Sequence, residues 1–321
     1  MHRPPFRFSF LALAALLLLG ACASGKGGES LPTRPFPEVQ VPALLPQEEI
    51  GDYVLDHFWD AYLDTTQRYF CDSTHIGGVQ DRLLAAQLAS FLSILENAPQ
   101  EKAGAAMGRF FDQLEAFQQA DTASNVFSWV TESVDYYLYD PSSEIRSEEL
   151  FLPFVSRLAV SPLTPENLRA RYAHAVEVCS ANRIGAPATD FRFVDRQGRS
   201  HTLYGEKAPQ TILVFVNPGC KACGDAVEAF AGEGIRGLVA SGRLQILGIY
   251  IDEDIEAWRA AYATLPEHWL HGYDPDGQIR EDRGYYVRAI PSVYLLDADK
   301  RVLMKDADPW QVAAWVENRV N

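Results

Sequence analysis

The sequence predicts an all-helical domain followed by an α/β domain, and three observations carry that reading. Apolar residues recur at helical spacing from about residue 48 to 182. After Gly185 the pattern changes to short apolar runs punctuated by turns, and one of those runs ends in Cys220-Lys221-Ala222-Cys223. With 321 residues, 47% of them apolar and 12% aromatic, the chain is long enough for two ordinary cores. The expected boundaries are 1–21, 22–47, 48–183 and 184–321.

Residues 1–21 read as a secretion signal. Arg3 and Arg7 make its start basic, and the apolar stretch 8–19 is too short for a lasting membrane span. Its end, Leu19-Gly20-Ala21-Cys22, resembles the lipobox of bacterial lipoproteins. That resemblance implies cleavage before Cys22 and acylation there, which makes Cys22 a lipid anchor; a plain secretory signal with an incidental cysteine is the other reading. Several acyl chains hold a protein on a membrane where one would be marginal. Residues 22–47 begin with glycine and serine and continue rich in proline, the composition of a flexible-to-extended tether. The folded parts are therefore expected in a bacterial cell envelope, lipid-anchored and facing the periplasm, with inner and outer membrane both open.

The chain carries 28 Lys and Arg against 43 Asp and Glu, and loss of residues 1–21 takes two bases and no acid, leaving a formal charge of −17. That balance argues against nucleic acid and anionic lipid surfaces as partners. The acids form no run, so the charge reads as a soluble surface.

Within 48–183, Leu55, Phe58, Trp59 and Tyr62 fall at i, i+3, i+4 and i+7, and Leu84, Leu88, Phe91, Leu92 and Leu95 repeat the stripe. Phe110, Leu114 and Phe117 form a third, and 126–139 and 150–158 supply two more. Breaks fall at 97–100, 140–143 and 161–165, the last predicting Thr164 as N-cap and Pro165 as first residue of a helix to about Ser180. Five or six helices are expected, with their aromatic stripes as core.

In the second domain, Asp190 to Val194 alternates, Asp195 to Gly198 carries turn chemistry and Ser200 to Tyr204 returns, which predicts a hairpin. A strand over 211–216 follows, then a helix opened by the two cysteines and running to about Phe230, a helix around 235–241 and a strand over 244–251. A short helix over 254–262, strands over 292–296 and 301–305 joined by a turn, and a terminal helix over 310–320 complete the domain. The order is a βα crossover, then an antiparallel hairpin and a covering helix.

A strand that delivers two cysteines to the first turn of a helix sets one thiol at the helix N-terminus, where unpaired N–H groups and the macrodipole favour thiolate. Cys220 is then the nucleophile and Cys223 the resolving thiol. Residues 185–321 resemble the TlpA-type branch of the thioredoxin superfamily. The resemblance rests on Ala188-Thr189-Asp190-Phe191 opening the hairpin, the apolar strand into Cys220-Lys221-Ala222-Cys223, and Tyr286 to Pro291 before a strand ending in Asp297. It implies a thioredoxin-like fold, disulfide exchange without a bound cofactor, and a cis-proline at Pro291 facing the dithiol. It also implies that the backbone at Ala289 and Ile290 pairs with an extended substrate segment. Residues 48–182 are similar to an uncharacterised helical module found in front of TlpA-type domains in some bacterial lipoproteins, one without a catalytic motif.

Other readings of the cysteine pair fit less well. Zinc needs four ligands, and the sequence has no second Cys-x-x-Cys or His-x-x-x-His. A purely structural disulfide suits an oxidising compartment but leaves the strand-to-helix position and the distant Ile290-Pro291 without a reason. A peroxidase needs threonine three residues before the reactive cysteine, where Asn217 stands. A fold retained for binding stays open. The chain departs from the pattern that it resembles at Gly219, where an aromatic residue often precedes the first cysteine, and at Val214, where thioredoxins carry a buried acid. Asp225 and Glu228 either replace that acid or belong to a solvated face, and Lys221 either supports the thiolate or simply meets solvent. Cys71 and Cys179 lie near opposite ends of the helical region and either bridge or stay as separate buried thiols.

The sequence thus predicts a membrane-anchored extracytoplasmic thiol–disulfide oxidoreductase, acting as reductant or isomerase on exported protein thiols or disulfides and served by a membrane or periplasmic redox partner. The alternative is a redox-inactive binding or assembly module.

Overall fold

A computed structural model describes residues 31–217, 219–261, 265–281 and 284–320. The expected signal and Cys22 lie outside the described residues. Six helices build the first domain: α1 (Ile50–His57), α2 (Asp81–Glu96), α3 (Gln100–Ala120), α4 (Val126–Tyr139), α5 (Glu148–Leu158) and α6 (Glu166–Ser180). A small antiparallel hairpin, β1 (His75–Ile76) and β2 (Val79–Gln80), precedes α2. The predicted stripes close on one core, in which Trp59 stacks on Phe110 and Phe110 and Phe111 both meet Phe154. At the last break the cap differs from expectation. Pro165 is the N-cap of α6, and the Thr164 hydroxyl instead donates to the Leu158 carbonyl at 2.6 Å, tying off the end of α5.

The stretch expected as a tether is folded in part. The Arg34 guanidinium lies 3.7 Å from the Tyr69 ring centroid and donates to the carbonyls of Tyr62 and Gly77. Phe36 packs on Phe58, Trp59 and Tyr62. A cation and a ring that find aromatic partners outweigh the extended preference of the prolines around them.

The second domain holds β3 (Arg192–Asp195), β4 (Ser200–Thr202), β5 (Gln210–Val216), α7 (Lys221–Ala229), α8 (Glu233–Ala240), β6 (Leu244–Tyr250), α9 (Ile255–Ala261), β7 (Leu270–Tyr273), β8 (Ser292–Asp297), β9 (Val302–Met304) and α10 (Pro309–Val320). The strands form one sheet in the order β4-β3-β7-β6-β5-β8-β9. β5 is central, parallel to β6 and antiparallel to β8. Ile212 and Val214 enter the core made with α7, α8 and α10, while Leu213 and Phe215 enter the opposite core with Phe191, Tyr285 and Tyr294. Burial on both faces is why β5 reads as an unbroken apolar run. The α/β domain is thioredoxin-like, as expected. Among the described residues no helix is long and apolar enough to cross a membrane.

One buried group gives the fold a pH dependence. His271 on β7 is 2% exposed, stacks on Trp269, and has Nε2 2.9 Å from the Pro266 carbonyl oxygen. Burial pushes its imidazole down to about 4, so the fold holds it neutral. An unfolded histidine titrates near 6.5. Protons therefore favour the unfolded chain as pH falls from about 6.5 towards 4, a gap worth roughly 3 kcal/mol, and below that the loss stops growing. Urea titrations at pH 7 and pH 4.5 are expected to show this loss, and His271→Gln to show much less of it.

Candidate active site

β5 delivers the chain to the site, and Asn217 and Gly219 turn it into α7. Gly219 has φ of 76°, a left-handed backbone that a bulky aromatic would adopt only under strain. The turn itself thus accounts for the missing aromatic. Cys220 is the N-cap of α7 and half-buried, whereas Cys223, one turn in, is 7% exposed. The two sulfurs are joined as a disulfide, with Cα atoms 5.3 Å apart. The Cys223 N–H donates to Cys220 Sγ at 3.2 Å, the bond that a capping oxygen would ordinarily accept.

Seventy positions later the Ile290–Pro291 peptide bond is cis, and the Ile290 carbonyl oxygen lies 3.7 Å from Cys220 Sγ. Residues far apart in sequence, Cys220, Cys223 and Pro291, are therefore one site. Val214 is fully buried in the core, so the position of the missing acid is occupied by packing. Asp225, Glu228 and Lys221 are all exposed on α7, which favours the solvated-face reading for each.

A cleft of about 340 Å³ opens beside the disulfide. Ala222, Asp225 and Pro291 line it from the disulfide side, Asp306 from the approach to α10 and Trp310 from the first turn of that helix, and Pro141, Glu144 and Arg146 from the α4–α5 connection. Just beyond that connection, Glu148 opens α5 and is 6% exposed. Its carboxylate pairs with Arg288 Nη2 and Lys305 Nζ, each at 2.6 Å. Arg288 also donates to the Tyr139 carbonyl and sits 4.0 Å from that ring's centroid. These helical-domain residues carry no motif. Their only sequence signal is an acid placed in the first turn after the Ser147 cap, which normally denotes nothing beyond helix-end electrostatics.

Cys71 and Cys179 do not bridge; both are free thiols. Cys179 is fully buried on α6, and burial pushes its thiol up, away from reactivity. Cys71 is half-buried and 3.9 Å from the Ser124 hydroxyl.

Comparison with known proteins agrees with this architecture. No curated protein matches the sequence. A crystal structure of a thioredoxin-like protein from Bacteroides caccae superposes with a TM-score of 0.78 at 29% identity, covering 88% of this chain and 98% of that one. The C-terminal domain of an uncharacterized protein from Bacteroides fragilis is 38% identical over 42% of this chain and 96% of that one, with a TM-score of 0.40. The thioredoxin domain of a thiol-disulfide oxidoreductase from Bacteroides vulgatus is 20% identical over 43% of this chain and 99% of that one, with a TM-score of 0.39. Residues 21–182 match the family model described as a domain of unknown function, DUF5106, and end two residues after α6. The chain belongs to that family, carrying its helical domain in front of a thioredoxin-like one.

Proposed function

We propose that the chain is a thiol–disulfide oxidoreductase of the bacterial cell envelope, anchored to a membrane through Cys22 and exchanging disulfides with exported proteins. The observation that carries this reading is the asymmetry of the pair: Cys220 at a helix N-cap facing the cis-Pro291 segment, Cys223 buried behind it. In the reducing direction the Cys220 thiolate attacks a substrate disulfide, the substrate S–S bond breaks, and one substrate thiolate leaves. Cys223 then attacks Cys220 in the mixed disulfide, closing the Cys220–Cys223 bond and releasing the second substrate thiolate. Two electrons have passed to the substrate, and a membrane or periplasmic dithiol partner returns them. Run backwards, the same steps oxidise a substrate dithiol.

The test is the reduction potential of the chain from residue 23 onward, with Cys71→Ser to isolate the pair. A reversible two-electron transition between about −120 and −270 mV is expected, the span of exchange proteins. A pair still oxidised below about −300 mV would be a structural bridge, and the binding-module reading would replace this one.

A further inference from the structure

We propose that the helical domain is a working part of the redox centre, and that Glu148 is its positioning residue, fixing both flanks of Pro291. The proposal rests on the exchange reading above and adds what the second domain cannot do alone. Pro291 and the Ile290 carbonyl sit at the end of the stretch 284–291, which has no helix or strand of its own before β8 opens at Ser292. The first half of this stretch is held by the buried Tyr285, the Asn182 amide on the Gly284 carbonyl and the Tyr286 ring against His174, whereas the residues next to Pro291 depend on the side chains that flank them.

Both ends lead to one carboxylate. On the N-terminal side, Arg288 stands three residues before Pro291 and reaches Glu148 at 2.6 Å, while its remaining fork donates to the Tyr139 carbonyl. On the C-terminal side, Ser292 donates to Asp306 Oδ1 at 2.5 Å, and the neighbouring Lys305 returns to Glu148 at 2.6 Å and to the Ala181 carbonyl at 2.5 Å. Glu148, Tyr139 and Ala181 belong to the helical domain; every cation that they hold belongs to the thioredoxin-like one. A carboxylate this deeply buried against two cations is costly to leave half-paired, so the arrangement locks as a unit.

The consequence concerns substrate pairing more than thiol chemistry. The α7 N-terminus that favours the Cys220 thiolate is built within the second domain, whereas the backbone beside Pro291 that meets a polypeptide is braced from the first. Loosening that brace by a fraction of an ångström to an ångström costs a reaction that needs alignment about one to two powers of ten. It costs a small disulfide, which needs no strand-like pairing, far less.

The experiment compares pre-reduced wild-type and Glu148→Gln chains in single turnovers with two probes in excess, a disulfide-linked peptide pair of extended sequence and the small linear bis(2-hydroxyethyl) disulfide. Glu148→Gln is expected to lose about tenfold in the second-order rate constant toward the peptide disulfide, the loss falling mainly on the half-saturating peptide concentration, and at least fivefold less toward bis(2-hydroxyethyl) disulfide. Arg288→Lys keeps the charge but not the fork that reaches Glu148 and Tyr139 together, so an intermediate loss with the same selectivity is expected; it carries the test if Glu148→Gln does not fold. Equal losses on both probes, or none on the peptide, would overturn the positioning role. A wild-type chain that exchanges with neither probe would overturn the redox reading itself and this proposal with it.

Discussion

Serine at position 220 is expected to abolish exchange, lowering the rate by more than about a thousandfold, because a hydroxyl at neutral pH supplies almost no oxyanion and no comparable nucleophile. Serine at position 223 is expected to do something different. Cys220 remains half-buried at the helix cap and able to attack, but the mixed disulfide has no thiol behind it to close the ring. Covalent adducts with substrate proteins should therefore accumulate on non-reducing gels from cells expressing Cys223→Ser, and be absent with Cys220→Ser or the double variant. The asymmetry follows from burial: a sulfur on a residue 7% exposed meets its own neighbour far more readily than an incoming protein. Undiminished exchange by Cys220→Ser would sink the mechanism, and adducts on Cys220→Ser in place of Cys223→Ser would reverse the roles.

What the sequence revealed, and what it concealed, follows the range of the forces involved. The strand into Cys220, the helix after it and the proline before β8 are local patterns, and each is where the pattern puts it. The stripes of α2, α3, α4 and α5 are local as well, and their apolar residues are buried. β7 is not local. Of Leu270, His271, Gly272 and Tyr273, the middle two are poor strand formers by themselves, and the segment is a strand because β6 and β3 pair with it on either side. Gly272 fits because a Cβ there would fall 2.5 Å from the Phe193 ring. The hairpin of β1 and β2 was legible in principle: Gly77 and Gly78, both at positive φ, stand between Ile76 and Val79, a pairing of residues suited to a two-residue turn. Phe36 inside the proline-rich stretch was a similar signal, since a tether has no use for a large ring. The Glu148 cluster left no such trace. Arg288 lies 140 positions from its partner, and an Arg or Glu in a sequence reads as surface until the fold brings both out of water together.

In the helical domain the largest loss of stability is expected from Trp59→Ala, about 3–5 kcal/mol. Trp59 is 2% exposed just beyond α1, stacked on Phe110 with centroids 4.4 Å apart and edge-on to both Phe91 and Phe36. Removing it leaves a cavity at the meeting point of the N-terminal segment, α2 and α3. Trp59→Phe is the informative companion. It keeps the stack and gives up part of the volume, but it also removes an indole N–H that is buried without a hydrogen-bond partner among the described residues. An unmade buried hydrogen bond costs about 1–3 kcal/mol, so its removal offsets much of the lost packing, and the net effect of Trp59→Phe is expected to stay below about 1.5 kcal/mol. Denaturant midpoints of the two variants against wild type separate the contributions. A large loss in both would mean that the indole N–H is satisfied by water and that volume alone governs the site. A small loss in both would mean that Phe36 and Phe91 close over the gap, which the facing rings permit only if the N-terminal segment is free to move inward.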